Sequence, residues 1–261
     1  MLVFTDNKKR LRDHFLKDPA LFAYHLGDLD DFHFPHCQWA VCYGERPCIE
    51  DCVLTYYGLA TPTVLAFGLT ERFAALLAEL VGLLPEKFHC HYQSESRDIL
   101  LGEYRETPFG RHIKMRLTEP TGDCRPFDDP GVVALDRTNA DELVAFYRIA
   151  YPDGFFMPRM LETGQYFGYR EAGRILAVTG VHVDSDEHRV AVLGSIATDP
   201  EHRGRGLATR LTGHLVRQLA DEGKLVCLNV SADNTPAVRC YEKLGFVASH
   251  EYEEGMFSRR G

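Results

Sequence analysis

Between residues 132 and 246 the apolar positions switch repeatedly between a period of two and one near 3.6. Residues 132–136 predict a short strand, and 139–150 a helix with Leu143, Phe146, Tyr147 and Ala150 on one side. Residues 166–170 and 174–183 form a predicted hairpin around Glu171, Ala172 and Gly173. Both faces of its second strand are apolar, which places that strand centrally in a sheet. Residues 189–198 read as another strand. Leu207, Leu211, Leu215, Val216 and Leu219 then recur at three- and four-residue spacings and mark an amphipathic helix. A short apolar run at 225–230 (LVCLNV) has the character of a buried strand. In the helix after it, Asn234 is the cap, Pro236 lies in the first turn and Gly245 ends it, with Val238, Tyr241 and Leu244 on one face. The expected class is a mixed-sheet α/β domain.

The first half has a similar order. Helical segments fall at about 8–30, strands near 38–43, 50–57 and 62–68, a helix at 70–84, a strand at 87–93, a helix at 95–103 and a strand at 111–117. The breaker-rich stretch 119–130 reads as a linker. At 261 residues the chain exceeds a typical domain of ~100–150, so two α/β domains are expected, at 1–120 and 131–261.

The chemistry concentrates where the strand at 189–198 meets the next helix: Ile196, Ala197, Thr198, then Arg203, Gly204, Arg205, Gly206, Leu207, Ala208 and Thr209. Such a turn is suited to an anion. Its glycines let the backbone approach a ligand, successive N–H groups point one way, and a helix N-terminus adds partial positive charge. Arg203 and Arg205 add formal charge. The chain has neither the G-x-x-x-x-G-K-[ST] phosphate loop nor the three-glycine dinucleotide fingerprint here.

Arg203-x-x-Gly206-x-Ala208 resembles the pyrophosphate loop of the GNAT superfamily, the CoA-dependent N-acyltransferases. A second block supports it: Asn234, Ala237, Tyr241, Gly245 and Phe246 are similar to that family's N-x-x-A-x-x-x-Y-x-x-x-G-F segment. The resemblance implies a GNAT acyltransferase fold in the C-terminal half and transfer of an acyl group, acetyl above all, from acyl-CoA to an amine. It implies backbone groups of Ile196, Ala197 and Thr198 along the pantetheine arm, amides from Gly204 to Thr209 on the pyrophosphate, and Asn234 on the pantetheine. Tyr241 would protonate the departing thiolate. On its own pattern Tyr241 also fits a core aromatic. The N-terminal half is expected to be either a degenerate GNAT-like repeat or another α/β domain. Its chain passes from the strand at 62–68 straight into a helix, with no arginine-glycine turn to cradle a pyrophosphate.

The net charge of −9 argues against a nucleic-acid partner, which needs clustered Lys and Arg, and mildly favours a cationic acceptor. The first residues hold no 7–15-residue apolar core of a signal peptide, and no run approaches the ~18 apolar residues of a membrane span. A cytoplasmic location, with reduced cysteines at 37, 42, 48, 52, 90, 124, 227 and 240, is the expectation. His33, His36, Cys37, Cys42, Cys48, Cys52, His89, Cys90 and His91 invite a zinc reading. Their spacings match no zinc pattern, and His89, Cys90 and His91 alternate across a predicted strand, so no metal is expected.

A general base is missing. Superfamily members that acetylate ribosomal-protein N-termini carry a glutamate where this chain has Asn229, which cannot accept a proton. His182 is the best in-strand candidate, although a lone strand histidine also fits a structural role. A lysine amine of pKa ~10.4 loses about 4.6 kcal/mol at pH 7 in reaching its neutral form, an α-amine near ~7.8 only about 1 kcal/mol. A site without a strong base therefore suits a low-pKa amine. Phe155 and Phe156, in the run 154–158, are candidates to line the acceptor pocket, or to anchor their own loop. The other reading of the chain is a non-catalytic acyl-CoA-binding or regulatory module.

Overall fold

In the computed structural model, which describes residues 1–44, 48–152 and 154–261, one order of elements occurs twice, with one more helix in the first pass. The first pass is β1 (Val3–Thr5), α1 (Lys8–Phe15), α2 (Ala23–Gly27), β2 (Cys37–Tyr43), β3 (Ile49–Tyr56), β4 (Thr63–Phe67), α3 (Phe73–Leu80), β5 (Lys87–Tyr92), α4 (Arg97–Glu103) and β6 (Tyr104–Leu117). The second is β7 (Val132–Ala134), α5 (Ala140–Ala150), β8 (Phe167–Glu171), β9 (Arg174–Ser185), β10 (Val190–Thr198), α6 (Leu207–Asp221), β11 (Leu225–Ser231), α7 (Thr235–Lys243) and β12 (Phe246–Arg259). β1 escaped the sequence reading because three half-exposed residues carry no periodic signal.

The chain divides into two compact units. Unit 1 is Met1–Lys114 with Ser231–Asp233 and Ser249–Gly261; unit 2 is Met115–Val230 with Asn234–Ala248. The end of the chain, grouped with the C-terminal half by sequence order, thus belongs to unit 1. There β12 pairs antiparallel with β5, from Glu253 opposite Tyr92 to Ser258 opposite Lys87, and Phe257 stacks on Phe88. Position along the chain carries no record of which strand a terminal strand will pair with.

In unit 1, β1 to β4 pair antiparallel in sequence order and β5 joins β4 in parallel. In unit 2, β7 to β10 do the same and β11 joins β10 in parallel. The two-residue loop between β8 and β9 has positive φ at both Ala172 (49°) and Gly173 (81°), the twist a tight hairpin needs.

The helices form where the sequence periodicity puts them. Leu143, Phe146, Tyr147 and Ala150 of α5 are all buried, as are Leu207, Leu211, Leu215, Val216 and Leu219 of α6. β9 is buried continuously from Ile175 to Val181, as expected of a central strand. The stretch 119–130 has no regular element but is anchored to unit 2. Cys124 is buried with its thiol donating to the Leu244 carbonyl, and Phe127 stacks on Tyr169. Among the described residues no helix is long and apolar enough to cross a membrane.

Candidate active site

The parallel pair β10 and β11 is where unit 2 opens. Pairing runs from Val190 opposite Leu225 to Leu193 opposite Leu228 and then stops, although β10 continues to Thr198 and β11 to Ser231. Two bulges accompany the parting. On β9, His182 is the extra residue between Val181 and Val183, which face the consecutive Leu193 and Val192. On β10, three steps from Gly194 to Ala197 match two on β9 from Gly180 to Val178. Bulges bend a strand and re-aim its side chains.

The β10 bulge is held by hydroxyls. Ser195 adopts φ of 55°, a costly conformation for a residue with a side chain. Tyr147 donates to its carbonyl at 2.5 Å, and the Ser195 hydroxyl donates to the Phe155 carbonyl at 2.9 Å. Tyr166 donates to the Val181 carbonyl at 2.9 Å and lies 3.2 Å from the Ser195 hydroxyl. Burial pushes both phenols above their ordinary range, so they remain donors. None of these three residues was read as functional from sequence. The available signal was Gly194, since glycine inside a strand marks a bulge or a close approach. A Cβ at Gly194 would lie 2.2 Å from the His182 ring. Tyr147→Phe leaves the Ser195 carbonyl without this donor and is expected to cost about 1–3 kcal/mol of stability. Acetyl-CoA affinity should fall in the same variant; a wild-type Tm with wild-type affinity would show that the bond does not hold the bulge.

Beyond Thr198 the chain makes a short 3-10 turn, Pro200–His202, capped by the Asp199 carboxylate. It then passes through Gly204 (φ 78°) and Gly206 (φ 74°) into α6. Only glycine takes both conformations cheaply. A Cβ built at either glycine meets nothing within 4 Å. Among the described residues, the amides from Gly204 to Thr209 donate to no protein group, and no side chain caps α6. Both arginines are engaged instead: Arg203 with the carbonyls of Thr198 and Ala150, Arg205 in a two-pronged pair with Glu171. What the turn leaves open is therefore its backbone.

Unit 1 has the same place closed. β4 stays paired with β5 as far as Ala66 opposite Tyr92. After it, the Gln93 side chain accepts from the Gly68 amide, and buried Asp51 accepts from the amides of Leu69 and Thr70. A Cβ at Gly68 would lie 2.1 Å from the Phe73 ring. A carboxylate built into the protein thus takes the amides that the corresponding turn of unit 2 leaves open.

The remaining predicted residues all lie in unit 2. Asn234 caps α7 by accepting from the Ala237 amide. Tyr241 is 8% exposed and packs edge-on against Phe246 at 6.1 Å. Burial, assisted by Cys240 and Tyr151, pushes its phenol above the ordinary range. The first turn of α6 reaches α7 through Thr209, whose hydroxyl lies 3.1 Å from the Cys240 thiol. Phe155 is exposed and meets the His182 ring edge-on at 5.5 Å. Phe156, partly buried, stacks on Tyr147 at 4.7 Å and packs against the apolar core, so it anchors the loop. Asn229 lies just past the last β10–β11 pair, and among the described residues its buried side-chain nitrogen has no hydrogen-bond partner.

The model of the Acetyltransferase (GNAT) family matches residues 131–246. That stretch is a GNAT acetyltransferase domain. Its relatives include the mycothiol acetyltransferase of Mycolicibacterium smegmatis, 37% identical over 99 residues, covering 36% of this chain and 30% of the relative. The corresponding protein of Arthrobacter sp. is 29% identical over 202 residues, 69% of this chain and 62% of the relative. An Escherichia coli [ribosomal protein bS18]-alanine N-acetyltransferase is 36% identical over 81 residues, 31% and 53% respectively. The chain spans about a third of the length of the first of these relatives and less than two thirds of the others. Among solved structures, a tandem GNAT protein from the clavulanic acid biosynthesis pathway superposes with a TM-score of 0.60 at 17% identity, covering 98% of each chain. The N-terminal half is thus GNAT-like in fold as well, beside the GNAT domain that carries the open turn.

Proposed function

We propose that this chain transfers an acetyl group from acetyl-CoA to an amine, with the reaction in the GNAT domain. The observation that carries the reading is the contrast between two equivalent turns. The amides from Gly204 to Thr209 stand open at a helix N-terminus, while Asp51 and Gln93 occupy those of unit 1. A pyrophosphate is the chemistry that suits the open one.

In this reading the backbone of Ile196, Ala197 and Thr198, past the end of β10–β11 pairing, binds the pantetheine amides as a strand would. Asn234 spends its oxygen on the α7 cap and keeps its side-chain N–H groups for the same arm. Amine nitrogen attacks the thioester carbon, the C–N bond forms, the C–S bond breaks, and one proton leaves nitrogen while one reaches sulfur. Tyr241 supplies the proton at sulfur. Its raised phenol is a weaker acid than the thiol formed, of pKa ~8.5, so transfer requires the proton shed by the amine to replace the one it gives.

The acceptor is proposed to be a low-pKa amine. Asn229 offers a hydrogen bond to a carbonyl oxygen but no basic site, and His182, beside Phe155, is the one proton acceptor proposed on this side. An alanine acceptor, as in the name of the Escherichia coli relative, carries its amine beside a carbonyl and fits both features. The second reading, an acyl-CoA-binding module without catalysis, draws on the same missing base.

Release of free thiol from acetyl-CoA over a panel of α-amines and ε-amines separates the two readings. Turnover is expected with α-amines, with a rate that levels off above pH ~8 as an amine near ~7.8 becomes neutral. Acetyl-CoA binding without thiol release on any amine would establish the binding module instead.

A further inference from the structure

We propose that unit 1 holds a divalent transition-metal ion of the zinc class on His89, His91 and Glu254. The site arises from strand register. His89 and His91 are two apart on β5 and so share a face, and Glu254 lies directly opposite His91 on the antiparallel partner β12. The alternation that spoke against a zinc pattern in the sequence is what puts both imidazoles on one side. The third ligand comes from 163 residues further along the chain, beyond the reach of any spacing rule.

The spacing of the donor atoms is compatible with a single ion. The Nε2 atoms of His89 and His91 lie 3.3 and 3.4 Å from the two Glu254 oxygens. One ligand atom from each of the three residues lies within 4.8 Å of the other two. Donors at ~2.0–2.2 Å from a tetrahedral ion stand roughly 3.3–3.6 Å apart, the separation of each imidazole from its nearer Glu254 oxygen. Among the described residues, the buried His89 Nε2 has no hydrogen-bond partner that meets both distance and angle, despite the Glu254 oxygen at 3.3 Å.

Neighbouring side chains hold the carboxylate ligand in place. The Tyr252 hydroxyl donates to Glu254 Oε1 at 2.5 Å. His112 lies with Nδ1 3.0 Å from the Gly110 carbonyl, which points Nε2 to within 3.6 Å of the Glu254 carboxylate. The Lys114 ammonium, 5.0 Å from the Tyr252 ring, opposes a second cation by its field. Affinity must therefore come from coordinate bonds to imidazole, which favours zinc over magnesium or calcium. Three protein ligands leave a fourth tetrahedral position for water or a small anion.

The full chain, stripped with a chelator, is titrated with Zn²⁺ against a chromogenic competitor and separately with Co²⁺. One ion per chain is expected, with a cobalt spectrum free of thiolate charge-transfer bands. His89→Ala and Glu254→Gln should each weaken binding by more than the ~10–100-fold expected for Tyr252→Phe, which removes only an outer-shell partner. Thermal midpoints of the metal-free variants check folding, and His89, the most exposed of the three, keeps the test available if Glu254→Gln misfolds. Absence of binding, undiminished binding in His89→Ala, or a thiolate band placing cobalt on the cysteines would each overturn the assignment.

Discussion

Tyr241→Phe is expected to lower kcat for acetyl transfer by about 10²–10⁴-fold, the worth of a positioned acid, with acetyl-CoA affinity nearly unchanged. The ring keeps its packing against Phe246, and only the hydroxyl is lost. Burial raises the phenol, with Cys240 and Tyr151 adding to the shift. A raised pKa keeps the proton on oxygen throughout the neutral range, so in the proposed mechanism Tyr241 enters the reaction as a donor. The loss should fall on kcat because the hydroxyl matters most as charge develops on sulfur. Steady-state kinetics on any accepted amine decides it. A kcat near wild type would make Tyr241 a core residue beneath a thiolate that leaves unassisted.

Gly206→Glu is expected to abolish acetyl-CoA binding while the fold persists. At φ of 74° a side chain costs on the order of 1–2 kcal/mol, tolerable for a domain with this core. Apart from residue 206 and its chain neighbours, no described atom lies within 4 Å of the new Cβ, so the carboxylate extends into the space above the turn. There it meets the pyrophosphate with like charge and takes up the amides, as Asp51 does in unit 1. Calorimetry should give one acetyl-CoA site per wild-type chain and none in the variant. A second wild-type site would contradict the plugged state of unit 1, and an undiminished ligand-induced Tm shift in the variant would remove the turn from the binding site.

Much of the GNAT domain was legible because its signals are local. The α5 and α6 stripes, the Asn234 cap and the two turn glycines each depend on neighbours within a few residues, and each appears where the pattern puts it. Phe155 and Phe156 illustrate the limit. They are adjacent and chemically identical, yet one is exposed beside His182 and the other stacks into the core on Tyr147. Nothing in a local pattern separates them, because the difference is set by which way the loop enters the core.

The sequence by itself determined the two α/β halves, the strand–turn–helix with its arginines and glycines, and the absence of such a turn from the first half. These follow from backbone preference and periodicity, which act over one or two turns of chain. Tertiary structure alone decided the rest. It parted β10 from β11 after Leu193, braced Ser195 with Tyr147 and Tyr166, and sent Arg203 and Arg205 to protein partners. It also carried Asp51 to the amides of Leu69 and Thr70, and Glu254 to His89 and His91. Each of these joins groups far apart in the chain, whose meeting depends on strand register and packing and so leaves no mark in local sequence.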